Sequence, residues 1–172
     1  MPTVIIRPDA SSASSGFDQS GSNLASRISD NDTSTFVFNT SNTSNFTVSF
    51  NNSDVYSGAT INNVVVSITG NTINVKVPEA SVEVSLRDAS SVLQTSTLTF
   101  TPTESTENGA EYSTSLTPSV VDSFILSATA ETVGLIIKEV FITVDYTAAT
   151  SGGGTITLSS GKITLTSGKI TL

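Results

Sequence analysis

The chain has no cysteine, no histidine and no tryptophan, and its one methionine is Met1. The first two absences remove most nucleophilic catalysis, because neither a Ser-His nor a Cys-His pair can be assembled. They also take away the usual ligands of zinc and haem, so neither metal nor cofactor is expected. Charged residues are only 13% of the chain, with 7 Lys and Arg against 15 Asp and Glu. Nucleic acids and anionic membranes attract clustered cations, so neither is expected as a partner. No apolar stretch nears the roughly 18 residues of a membrane span. The opening Met1-Pro2-Thr3-Val4-Ile5-Ile6-Arg7 lacks the basic and apolar regions of a secretory leader, so synthesis in the cytoplasm without a visible export route is expected. Aromatics stop at eight Phe and three Tyr, and the acids sit singly on alternating strands or in loops. That spacing does not suit the facing carboxylates of a glycosidase, and no enzyme is expected.

What is abundant is serine and threonine, about a third of all residues. Threonine packs well on a pleated strand, while Ser and Asn suit the turns between strands. A length of 172 residues is enough for one domain with a proper core. The charge is uneven. Fifteen acids precede Tyr146 with only five bases (Arg7, Arg27, Lys76, Arg87, Lys138), a net −10, whereas the segment beyond holds Lys162 and Lys169 and no acid.

Period-2 alternation recurs along the chain, and no segment of helical length keeps a 3.6-residue period. Strands are expected at residues 3–7, 35–38, 46–50, 61–69, 82–86, 92–101, 123–128 and 134–146. Phe46, Val48 and Phe50 share a face, as do Val64, Val66 and Ile68. Val140, Ile142, Val144 and Tyr146 should face inward from a long central strand, with the first strand pairing near it. Residues 10–22 read as a small-polar loop anchored by Phe17, and 102–109 as an acidic surface loop. Gly70-Asn71 reads as the turn of a hairpin into 72–77, and Thr117-Pro118 as the start of one helical turn. About ten short strands and almost no helix describe an all-β fold, an antiparallel β-sandwich of the jelly-roll kind, over residues 1–147.

Within it, Arg27-Ile28-Ser29-Asp30-Asn31-Asp32-Thr33-Ser34-Thr35-Phe36-Val37 resembles the early D-G/N-D-x-S-T-aromatic stretch of discoidin-like, galactose-binding-like jelly rolls. The segments 60–66 and 139–146 resemble that family more loosely. The resemblance implies that Asp30, Asn31, Asp32 and Thr35 form a structural turn bracing a loop before a core strand. Phage virion proteins that resemble this fold share the ordering. From the residues alone, Asp30-Asn31-Asp32 is an Asx-type turn bonding its own backbone. The other reading is part of a calcium site, for which further loops would have to supply oxygens. Secreted discoidin-like modules are commonly bridged by cysteines and bind through exposed aromatic loops. This chain departs on both counts, so no sugar or lipid site carries over.

The C-terminal segment is different in kind. Residues 148–154 read as a Gly/Ser-rich linker, and residues 155–172 repeat with a period of seven. Ile156, Ile163 and Ile170 fall in register, as do Leu158, Leu165 and Leu172. Gly and Thr in every unit refuse a coiled coil, so each unit reads as a short strand followed by a Ser-Gly turn. Three such strands have one apolar face and need something to pack against. Those six residues are accordingly the expected assembly interface, an oligomerisation or docking element that meets a capsid lattice, a fibre shaft or its own trimer.

A composition suited to the outside of a particle, without a leader to take it there, fits proteins that assemble in the cytosol and leave by lysis. The expectation is therefore a non-enzymatic virion structural protein on the particle surface, a capsid decoration, head-fibre or tail-associated component. Its partners would be other virion proteins and itself, as a homo-oligomer with a trimer favoured. The alternative is a carbohydrate-binding module recognising host-surface glycans, with Tyr56 or Tyr112 as candidate platforms.

Overall fold

The structure, a computed structural model, describes residues 2–18, 24–50, 58–73, 75–114, 116–148, 157–159 and 162–164. In chain order the elements are β1 (Thr3–Ile6), β2 (Ala10–Ser15), β3 (Phe17–Asp18), α1 (Leu24–Ile28), β4 (Val37–Asn39) and β5 (Asn45–Phe50). Then come β6 (Thr60–Thr72), β7 (Ala80–Arg87), β8 (Val92–Phe100), β9 (Ser105–Asn108) and α2 (Pro118–Val121). The domain closes with β10 (Phe124–Ala130) and β11 (Leu135–Thr147), and β12 (Thr157–Ser159) and β13 (Lys162–Thr164) follow.

Two antiparallel sheets make a β-sandwich. The first runs β3-β4-β11-β6-β9 with β1 also on β11, and the second runs β2-β5-β10-β7-β8. Alternation decides which side chains meet between them. Val64, Val66 and Ile68 of β6 and Val140, Ile142 and Val144 of β11 face Phe46, Val48, Phe50, Val82, Val84, Leu86, Phe100, Phe124 and Leu126 of the second sheet, all buried. Burying each such side chain stabilises the fold by about 1.5–3 kcal/mol. The central β11 pairs with β6 along its length and also takes β1 and β4 on its other edge. Two register shifts interrupt β6 and β11, at Asn62 and at Lys138. Each inserts one extra residue, so that Ile61 and Val64, or Ile137 and Val140, both turn inward.

Several expected loops prove to be strands. Residues 10–15 pair with β5 as an edge strand, and Phe17 anchors the next turn edge-to-face on Phe46, with centroids 5.3 Å apart. Residues 105–108 form β9 on the free edge of β6. Gly70 and Asn71 do not turn; β6 runs straight through them to Thr72. A Cβ on Gly70 would lie 2.4 Å from the carbonyl oxygen of Ile136, so glycine is there to let two strands and the Phe100 ring close up. Two helical turns flank the sheets. The first, α1, buries Leu24, Ala25 and Ile28, and lies in the segment read as leading into the Asp/Asn turn. The second, α2, starts where Thr117-Pro118 predicted, with the Thr117 hydroxyl accepting from Val120 N at 3.3 Å. In the C-terminal repeat β12 and β13 pair antiparallel, Leu158 opposite Ile163.

Candidate functional site

Asp30, Asn31, Asp32 and Thr35 come together in one turn between α1 and β4. Asp32 N donates to Asp30 Oδ1 at 3.0 Å and Ser34 N to Asp32 Oδ1 at 2.9 Å. Hydrogen bonds from Ser34 hold the Asp32 carboxyl below its ordinary value. Asn31 sits at φ 60, a left-handed conformation that asparagine tolerates better than most residues. The Thr35 hydroxyl has four acceptors around it: Asp32 O at 2.8 Å, Arg27 O and Asp30 Oδ2 at 2.9 Å, and Asp30 Oδ1 at 3.1 Å. One hydroxyl proton serves one acceptor at a time, so this is a point where oxygens converge. They are the oxygens that could hold a hard cation such as calcium. No three acidic side chains gather at one point among the described residues. Arg7 supplies positive charge beside the turn. It donates to Asn31 Oδ1, lies 3.7 Å from Glu139 Oε1 and stacks 5.9 Å over the Phe141 ring.

A second feature lies on the outer face of the first sheet, where polar positions alternate with the core residues. Register sets it. Thr3 lies opposite Asp145 and Asp145 opposite Asn63; Thr143 lies opposite Val65, and Ser67 opposite Asn108. The Asn63 amide reaches Asp145 Oδ2 at 3.4 Å, and Ser67 Oγ donates to Asn108 Oδ1 at 2.7 Å. Beyond Asn108 the chain bulges. Gly109 N still bonds Val66 O, yet Tyr112 has become the partner of Val64, so four residues span what three do on β6. The bulge carries Gly109 and Glu111 to the rim of a groove of about 360 Å³, lined otherwise by Thr3, Asn63, Val65, Ser67, Asn108, Thr143 and Asp145. Carboxylates, amides and hydroxyls thus surround a small apolar floor at Val65, with no cation in the lining. Such a lining suits an uncharged, hydroxyl-rich ligand that exchanges water hydrogen bonds for these.

Sequence reasoning missed this groove. Its residues read as the solvated side of ordinary strands, and Asn63 and Asp145 meet only through the pairing of β6 with β11. Tyr112 is half-buried rather than exposed and does not line the groove. Tyr56 lies outside the described residues, as do Ile156, Leu165, Ile170 and Leu172 of the repeat. Leu158 and Ile163 are brought together as register partners.

The sequence matches no protein-family model and no curated protein. Solved structures do share its fold. The C-terminal CBM6 of LamC, a marine laminarinase from Zobellia galactanivorans, aligns with a TM-score of 0.51 at 13% identity, covering 83% of this chain and 98% of its own. The Podospora anserina GH26-CBM35 β-(1,4)-mannanase aligns at 0.45 and 14%, over 90% of this chain and 30% of its own. A carbohydrate-binding module (CBM6cm-2) from Cellvibrio mixtus lichenase 5A, in complex with cellotriose, aligns at 0.40 and 12%, over 84% and 98%. At 13% identity the likeness to the LamC module is one of fold alone, a jelly-roll β-sandwich. No comparison supplies the link to virus particles expected from composition.

Proposed function

We propose that the chain is a non-catalytic glycan-binding module whose ligand lies in the outer-face groove. The observation that carries this reading is the lining itself: Asn63, Asn108, Glu111, Asp145 and three hydroxyls around Val65, on a fold shared with a carbohydrate-binding module. Amide and carboxylate groups fixed on paired strands recognise sugar hydroxyls by direction as well as by strength. With no aromatic ring in the lining the affinity is modest, a Kd near about 1 mM. A glycan array followed by calorimetry on its hits tests this. Asn63→Ala or Asp145→Ala should weaken binding about tenfold or more, the loss of one or two polar contacts, with the melting temperature little changed. A silent array at millimolar sensitivity, or a hit that ignores both substitutions, overturns the proposal. Hydrolysis of the bound glycan would overturn its non-catalytic half.

The place where such a module acts rests on the sequence. A virion surface predicts the chain in purified phage particles; its absence there removes that setting and leaves glycan binding untouched.

A further inference from the structure

The end of the sandwich at which β11 begins carries an apolar patch that the glycan reading does not use. Val75 is 81% exposed, Val133 51% and Ile73 48%. Ile73 and Val133 meet at Gly134, and Val75 stands on the loop that follows Ile73. Ile73 N bonds Gly134 O at 2.7 Å, and a Cβ on Gly134 would lie 3.2 Å from both the Ile73 and the Val77 methyls. Apolar side chains of this size, clustered and exposed together, mark a contact surface more often than chance. Exposed Glu79 and Glu131 flank the patch, and Lys76 lies on the same loop.

The C-terminal repeat has the complementary chemistry, with an Ile and a Leu two apart in each seven-residue unit, Lys162 and Lys169, and no acid. It leaves the domain at the end opposite the patch of its own chain. Thr147 lies opposite Thr60 and Leu135 opposite Thr72, so the whole of β11 separates the exit of the repeat from the patch. The twelve steps along that strand rise about 40 Å. Ten Cα steps from Thr147 to Thr157 span about 36 Å only at full extension, so the repeat meets its own patch only by drawing the linker and part of the repeat out straight. A neighbouring copy needs no such extension. We propose that the repeat of one chain docks on the Ile73, Val75 and Val133 patch of a second copy, a head-to-tail contact. Such a contact uses two different surfaces, so every assembly keeps one free repeat and one free patch and grows beyond a dimer.

Two full-length variants decide the matter. Val75→Asp spoils the patch and keeps the repeat; Ile163→Asp spoils the repeat and keeps the patch. Light scattering of the wild-type chain should show a mass that rises with concentration past twice the 17.8 kDa of one chain. Each variant alone should stay at one chain mass, with the unfolding curve of the wild type. Mixed in equal amounts they should recover one productive contact and stop at two chain masses. A wild-type chain that remains monomeric overturns the proposal. So does a Val75→Asp variant that still oligomerises, the result expected if the repeats trimerise with one another, and so does a mixture that fails to recover the dimer.

Discussion

Asn39 is 2% exposed, yet its amide is fully used. Nδ2 donates to the carbonyl oxygens of Ser41 and Thr132, while Oδ1 accepts from Gly134 N at 2.8 Å and Leu135 N at 2.7 Å. One side chain therefore joins β4 to the loop that launches β11. Asn39→Ala leaves buried donors and acceptors unmet and should cost about 2–4 kcal/mol in urea unfolding. Asn39→Asp tests the same geometry by charge. Its carboxyl would keep two N–H donors on one oxygen, but the other would face two carbonyl oxygens in a buried site, and burial with that repulsion raises its pKa in the folded state above the unfolded value. The stability of that variant is then greatest at acid pH and falls as pH rises through the folded value. Asp88 has the opposite sign. Backbone hydrogen bonds from Ser90 and Ser91, each 2.7 Å, hold its carboxyl below the ordinary value. The stability it contributes is present above the unfolded pKa and is lost as pH falls through the folded one. Asp88→Asn should accordingly melt below the wild type at neutral pH, with the difference closing once the pH is below about 4.

Gly70 shows how an element overrules its punctuation. Glycine followed by asparagine signals a turn, but here the missing side chain lets β6 pass close to β11. Gly70→Ala should push those strands apart and cost about 2–3 kcal/mol. Gly109→Ala meets the Ser96 side chain, Oγ at 3.1 Å and Cβ at 3.3 Å, with no backbone atom nearer than 3.6 Å, and should cost about 1 kcal/mol in the same urea titration. The same logic separates the legible strands from the rest. Wherever one face packs on the core, as with Phe46, Val48 and Phe50 or Val82, Val84 and Leu86, alternation announces the strand. Residues 10–15 and 105–108 have no such alternation. They are edge strands made by pairing with β5 and β6, and pairing leaves no mark on composition. The turn at Asp30 was legible because its side chains bond their own backbone. The groove was not, because Asn63, Asn108 and Asp145 are outward polar residues whose meeting depends on register across distant segments.

At the scale of the molecule, what alternation and turn signals do convey is the sandwich, with β11 at its centre and β1 beside it. Which outward face is concave enough to receive a ligand, and which end gathers apolar loops, follow only once the sheets are closed. The centrality of β11 also has a consequence for synthesis. It is the partner of β1, β4 and β6, so the first sheet cannot close until the last strand of the domain has been made. At about 5–20 residues per second, the ribosome finishes β6 roughly 4–15 s before it finishes β11. Through that interval the apolar run at Val64, Val66 and Ile68 lacks its principal partner, and the nascent chain depends on its abundant serine and threonine, or on a chaperone, to stay in solution.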